Sequence, residues 1–337
     1  MATDLSDTLV VAVSATALFD MTESDKLFQE LLVKDKNMAI ERYRQFMREH
    51  ETIPLKAGTA YPLIKALLRL NRYQSTGEKS PLVEVVIMSR NSPDSGLRIL
   101  NTVRGDDALP ISRSAFTAGE SVVDYLDAFN VSLFLTTNID DAQRVIDSKV
   151  CAAAIVREPP RNREQEPLND EHAPVIPDDQ VRIAFDGDAV LFSDESELVY
   201  KTQGLDAFHQ SEDRQQNIPL AEGPYATLLK KLSRLQERLP YQLEYSPIRI
   251  ALITARNSPA EMRVIKTLRA WGVYVDEAFF LGGVEKTKVL KAFNPHIFFD
   301  DQDIHLERSS DVVPSGKVPY PSSSLLLTLS SKDKETS

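Results

Sequence analysis

Two aspartates separated by a single glycine, Asp186-Gly187-Asp188, directly follow the apolar stretch Val181-Arg182-Ile183-Ala184-Phe185. In an open parallel sheet, ligands collect at the carboxyl ends of the strands, so a strand that ends this way delivers both acids to a crevice. Gly187 keeps the turn small and lets the backbone approach a ligand closely. Further along, an apolar run at 248–253 ends at Thr254, another at 296–299 ends at Asp300-Asp301, and Lys286 opens a helical segment before the last run. Carboxylates gathered in one crevice repel each other unless a cation intervenes. Mg2+ prefers a few carboxylate oxygens together with water and phosphate. Asp186, Asp188, Asp300 and Asp301 are therefore the expected magnesium set, with the choice between Asp300 and Asp301 open. The chemistry that fits is phosphoryl transfer. Asp186 would attack phosphorus, and Asp188 would protonate the leaving alkoxide and later deprotonate water. Thr254 and Lys286 would hold the equatorial oxygens. Singly, each residue has an ordinary alternative: Asp-Gly-Asp is common turn chemistry, Lys286 belongs to a lysine-rich helix face, and Asp300-Asp301 can cap the succeeding segment. Their joint occurrence, always at a strand end or helix start, points to catalysis.

The elements that must position these groups occur twice. Residues 53–70 match 218–235 at nine of 18 positions with an offset of 165. Arg90-Asn91-Ser92-Pro93 recurs as Arg256-Asn257-Ser258-Pro259, and 125–135 recurs as 289–299. A repeat this long reads as a domain duplication, because solenoid periods are about 20–50 residues. Strands are expected at 8–13, 83–88 and 131–135, then at 181–185, 248–253, 275–280 and 296–299. Helical patterns lie at 27–49, 63–70, 93–104, 119–129, 224–238, 259–270 and 286–293. The alternation predicts an α/β fold of two tandem doubly wound domains. The expected division is 1–156, a proline-rich charged linker at 157–180, 181–320, and a flexible tail at 321–337. Opposite Asp186 and Asp188 the first copy has Ser14 and Thr16, or Val13 and Ala15 if the alignment slips by one. Opposite Thr254, Lys286, Asp300 and Asp301 it has Met88, Val122, Thr136 and Thr137. Every candidate catalytic group lies in the second copy, so the first is expected to be inert.

The 337 residues suffice for two domains, each with its own core. A formal net charge of −11 disfavours a nucleic-acid polymer as partner but leaves room for a small anion held with a metal. No run approaches the roughly 18 apolar residues of a membrane span, and the N-terminus lacks a positively charged leader. Cytoplasmic residence without a membrane partner is expected. The single Cys151 excludes an internal disulfide, and the five histidines show no zinc-ligand spacing. A homo-oligomer is compatible with the chain, although no segment marks its surface.

The order DxD, Thr, Lys, DD resembles the haloacid dehalogenase superfamily of phosphatases. The segments 185–197 (FDGDAVLFSDESE), 201–208 (KTQGLDAF), 251–259 (ALITARNSP) and 296–302 (HIFFDDQ) resemble the cytosolic 5′-nucleotidase I family more closely. That resemblance, over roughly residues 8–320, implies Mg2+-dependent hydrolysis of nucleoside 5′-monophosphates with the same six residues as nucleophile, acid/base, phosphate binders and metal ligands. It also implies a cover over the site at 193–223. There Gln203, Gly204, Phe208 and His209 either bind the base or belong to a surface excursion with an ordinary packed Phe. Gly187, Ala255 and Arg256 are further substrate-binding candidates, but the survival of Arg90 and Asn91 in the first copy favours a structural role for Asn257 and Pro259 at a helix start. Two other functions remain open: a phosphatase of other small esters, or a non-catalytic nucleotide-binding regulator.

Overall fold

The computed structural model describes residues 4–33, 35–157, 180–240 and 246–329. Short aliphatic runs form the strands β1 (Leu9–Val13), β2 (Phe19–Asp20), β3 (Lys56–Ala57), β4 (Val83–Ser89), β5 (Arg113–Phe116), β6 (Leu133–Thr136) and β7 (Ala152–Val156). The second half contributes β8 (Val181–Phe185), β9 (Ile248–Thr254), β10 (Glu277–Phe280), β11 (Ile297–Asp300) and β12 (Ser315–Lys317). Ten of these make one sheet in the order β10-β9-β8-β11-β12-β7-β6-β1-β4-β5, while β2 and β3 pair separately. All neighbours in the large sheet are parallel except β7 and β12. The chain is thus α/β with a large, mostly parallel central sheet.

Outward from the antiparallel join, the first half runs β7-β6-β1-β4-β5 and the second β12-β11-β8-β9-β10. In both halves the last strand comes first, then the one before it, then the initial strand and its two successors. β7 and β12 overlap only over Ile155–Val156 and Gly316–Lys317. Ile155 is level with Thr136 on β6, and Lys317 with Asp300 on β11. The two sets of strands run in opposite directions, and their carboxyl ends meet at one level. A cleft of about 1650 Å³ opens there, lined by Thr16, Thr59 and Thr137 of the first half and Lys201, Asp301 and Tyr320 of the second.

Length suggests one core per half, but the main hydrophobic core runs through both, beside a smaller cluster around Ile253, Leu290 and Phe298 in the second half. The most strongly repeated block accounts for this. It forms the helices Tyr61–Arg69 and Ala226–Glu237, which cross over: the first lies against β8 and the second against β1. Their apolar stripes, with Leu63, Ile64 and Leu67 in one and Leu228, Leu229 and Leu232 in the other, are buried. Fully burying each such side chain stabilises the fold by about 1.5–3 kcal/mol. Lys231 Nζ adds a hydrogen bond to Ser132 Oγ at 2.9 Å, and Arg238 Nη1 one to the carbonyl of Asp7 at 2.6 Å.

Several local expectations change. The pattern at 27–49 becomes two helices, Thr22–Leu32 and Lys36–Glu49, because Asp35 caps the second with its side chain. The segment 119–129 folds as two short 3-10 turns, Val123–Tyr125 and Asp127–Phe129, rather than one helix. Strands β5, β7 and β12 carry no clear sequence signal and are fixed by pairing and packing, and a further helix, Ile139–Ser148, is capped by Asn138 and buries Ala142, Val145 and Ile146. The cover segment forms the helices Glu195–Gln203 and Leu205–Arg214. Cys151 is half-buried, and burial pushes its thiol up to about 12, as suits an inert residue. Beyond Tyr320, Leu326 is buried beside Ala189 and Tyr320. Residues 158–179 of the expected linker and 330–337 of the expected tail lie outside the described residues.

The repeated glycines show what the shared block does. A Cβ on Gly58 would come within 2.8 Å of the Ala17 carbonyl oxygen, and one on Gly223 within 2.3 Å of that of Phe192. Each glycine donates its N–H to the backbone after the first strand of its half, to Leu18 O at 2.8 Å and Leu191 O at 2.9 Å. Since the obstacles are backbone atoms, they cannot rotate away. Gly58→Ala and Gly223→Ala are each expected to destabilise the protein by about 1–3 kcal/mol, as overpacking does. Denaturant midpoints measure this, and unchanged midpoints in both variants would contradict the close approach.

Candidate active site

Strands β8 and β11 are neighbours, and Asp186 N–H donates to the carbonyl of Phe299 at 2.8 Å where they end. Immediately behind lie three fully buried rings. Phe185 stacks on Phe299 with centroids 5.6 Å apart, and Tyr225 packs against both at 6.1 and 5.0 Å. Such aromatic pairs contribute about 0.5–1.5 kcal/mol beyond their area. This wall fixes the residues just before Asp186 and Asp300. After Asp186 the chain makes one wide turn over Gly187–Leu191, with Ala189 in the left-handed region at φ 59°. A Cβ on Gly187 would stand 3.1 Å from Thr254 Oγ1, so the glycine lets the ends of β8 and β9 close together.

Lys286, the first residue of the helix Lys286–Phe293, reaches back over this edge. Its Nζ lies 3.0 Å from Asp186 Oδ1 and 2.7 Å from Asp300 Oδ2. Burial works against its charge, yet the two carboxylates hold its pKa above the ordinary lysine value. The carboxylates respond unequally. Burial pushes Asp186 up to about 6 against the pull of Lys286, helped by repulsion from Asp300. Asp300 is also desolvated, but Lys286 and then His305, whose Nδ1 is 3.2 Å from Asp300 Oδ2, bring it down to about 2. The shorter Lys286 contact and the second partner explain the difference. Asp301 is raised well above the carboxylate range by burial and then by Glu197, Asp300 and Asp186. Glu197 is pushed up to about 7, chiefly by burial, with Lys201 opposing.

The donor set fits a hard cation. Asp186, Asp300 and His305 bring ligand atoms within 4.8 Å of one another. Asp301 Oδ1 and Glu197 Oε2 are buried without a hydrogen-bond partner. Oxygen-rich, negatively charged and enclosed surroundings are what Mg2+ takes.

Asp188 faces a different partner. Arg256 grips it with Nε at 2.8 Å and Nη2 at 2.6 Å, and extends Nη1 to Glu212 at 2.5 Å. Glu212, on the second cover helix, also accepts from Arg263 at 2.9 Å and from Ser196 at 2.8 Å. The Arg256 guanidinium lies 5.4 Å from the Phe208 ring centre and 6.0 Å from that of Phe192. Only 3% exposed, Arg256 is engaged inside the protein. Phe208 is buried with it. His209 Nε2 sits 3.0 Å from Asn257 Oδ1, linking the cover to the segment after β9, while Ala255 is exposed.

The sequence-derived residues Asp186, Thr254, Lys286, Asp300 and Asp301 therefore meet at one edge, with Asp188 beside them. Glu197, Glu212, His305 and Tyr320 join the site without having been singled out. Glu197 sits one helical turn before Lys201, 3.0 Å away, which in sequence looks like a surface ion pair. Glu212 lies in a charged stretch where burial leaves no sequence signal.

The first half presents hydroxyls at the matching strand ends. Ser14 and Thr16 follow β1, with Ser14 Oγ 3.1 Å from Thr16 Oγ1 and Thr16 Oγ1 2.5 Å from Thr137 Oγ1. Strand register pairs Val13 with Ile87 and Phe185 with Leu252. Ser89, not Met88, therefore occupies the place of Thr254, because one extra residue follows β9 before the repeated Arg. Val122, opposite Lys286 in the repeat, is buried.

A family model described as 5′-nucleotidase matches residues 1–324. Human cytosolic 5′-nucleotidase 1B is 34% identical over 304 residues, covering 89% of this chain and 47% of that protein. The chain thus spans about half the length of this curated relative. No solved structure gives a significant match. No helix among the described residues is long and apolar enough to cross a membrane. With the match running through both halves and through the acidic edge around Lys286, the chain belongs to the 5′-nucleotidase family.

Proposed function

We propose that this chain is a Mg2+-dependent phosphomonoesterase that hydrolyses nucleoside 5′-monophosphates through an aspartyl phosphate on Asp186. The observation that carries the reading is the buried Lys286 held between Asp186 and Asp300, beside the carboxylates at the end of β11. One side chain thereby aligns a nucleophile with a phosphate-binding edge. The substrate class rests on the family and on the human relative's name.

Asp186 attacks phosphorus with its carboxylate, breaking the bond to the nucleoside oxygen and forming the acyl phosphate. Lys286 and the Thr254 hydroxyl stabilise the equatorial oxygens as charge moves onto them. Asp188 gives a proton to the departing oxygen, then takes one from the water that cleaves the acyl phosphate. The Arg256 grip fixes the orientation of Asp188, so Arg256 acts as a positioning residue. Magnesium, held by Asp186, Asp188 and the Asp300-Asp301 pair, would neutralise phosphate charge when bound.

We further infer that the halves are copies of one haloacid dehalogenase-like unit, 1–156 and 181–320, the first of them non-catalytic. The identical strand order outward from the β7–β12 join and the matched roles of Gly58 and Gly223 support this. Replacement of every acid and the lysine by hydroxyls and Val122 leaves the first unit without a nucleophile of the same kind.

A panel of nucleotides, sugar phosphates and an aryl phosphate, assayed with and without Mg2+, tests the reading. Asp186→Asn is expected to abolish turnover. Asp188→Asn should lower kcat by about 10²–10⁴-fold, and Lys286→Met by about 10²–10³-fold. Failure of the wild type to turn over any ester, with metal-independent ligand binding, would exclude the enzyme. Arg256→Lys keeps the charge but loses the two-pronged grip on Asp188. Its kcat should fall by about 10²-fold, the cost of a small misplacement, with KM nearly unchanged. Equal changes in kcat and KM would argue against positioning.

A further inference from the structure

We propose that Glu197, on the cover helix Glu195–Gln203, contributes a carboxylate oxygen to the divalent-cation site, facing the ion or its bound water. This rests on the metal-dependent reading of the site and extends it to a residue outside the four catalytic segments.

Glu197 is only 6% exposed. Its Oε1 accepts from Gln302 Nε2 at 3.0 Å and lies 3.0 Å from Lys201 Nζ, so two donors from different elements fix the carboxylate. Its Oε2 is buried and has no partner. Asp301 repeats the pattern: Tyr320 donates its hydroxyl to Oδ2, while Oδ1 is buried and bare in a residue 2% exposed. Asp301 lies within the electrostatic reach of Glu197, and Glu197 within that of Asp186 and Asp188. Leaving two buried carboxyl oxygens without any partner is costly. A proton on either oxygen removes its charge but leaves a buried O–H without an acceptor. A divalent cation with its water shell answers both and reduces the mutual repulsion. The nearby cations cannot do so, because Lys201 is committed to Oε1 and Lys286 to Asp186 and Asp300. Asp300 is already supplied, by Lys286 on Oδ2 and by the Gln302 N–H at 2.8 Å on Oδ1. The bare oxygens thus mark the Asp301 side of the acids. Since Glu197 belongs to the cover, cation binding and the seating of the cover become one event.

Mg2+ binding to the full chain, followed by titration calorimetry and by the Mg2+-induced rise in Tm, tests this without reference to activity. Glu197→Gln should weaken Mg2+ about 10–100-fold, as loss of a supporting ligand group does, and remove most of the Tm rise. Its metal-free Tm should stay close to wild type, because the amide keeps an oxygen for Gln302 and Lys201 while removing the buried carboxylate oxygen that has no partner. Glu197→Asp retains the charge but retracts it by one methylene, and should lie between the two; it decides the question if Glu197→Gln does not fold. The exposed Glu195→Gln is the control and should bind as wild type. Wild-type affinity in both Glu197 variants, or no Mg2+ binding by the wild type, overturns the proposal. If Mg2+ binding follows the expected order but no phosphate ester is turned over, the phosphatase reading fails and the cation site stands.

Discussion

The buried ammonium of Lys286 between Asp186 and Asp300 is the constraint around which the second half is organised. Three ionised groups removed from water stay charged only because each is the other's solvent, and breaking such a set by removing one member costs about 3–5 kcal/mol. The arrangement requires that β8 and β11 be neighbours, that they end at the same level, and that a helix begin within reach of both. Parallel pairing supplies the first two conditions. The aromatic wall of Phe185, Tyr225 and Phe299 keeps the strand ends from sliding relative to each other.

The same sheet geometry accounts for the cleft. Half-sheets that run in opposite directions and overlap only at their carboxyl ends must present both functional edges to a common space. On one side stand carboxylates, on the other the hydroxyls of Thr16 and Thr137. The two sides differ in what they can do with a phosphate: the first can attack and transfer protons, the second can only donate or accept hydrogen bonds. Crossed helices and a shared core tie the halves together, so the hydroxyl side still shapes the acidic one.

The cover is tied to the acidic edge by charge rather than by apolar contact alone. Arg256 connects Asp188 to Glu212, and Glu197 stands among the acids from the neighbouring helix. In a buried network of this kind a half-satisfied member is costly, which ties the seating of the cover to the pairing of these groups.

The chain by itself determined the alternating α/β pattern, the repeat, and the identity of the five residues that meet at one edge. These were legible because strand-terminal polar residues after apolar runs leave a local signature, and because the repeat offered a built-in comparison lacking the acids. Tertiary structure alone decided the rest. Strands β5, β7 and β12 are too short or too weakly patterned to announce themselves, and the join between halves depends on two residue pairs. Glu197 and Glu212 read as surface charges in sequence, since a charged side chain carries no local mark of burial. Their roles arise only when helices distant in the chain bring them beside Asp301 and Arg256, where the absence of water makes every unpaired oxygen count.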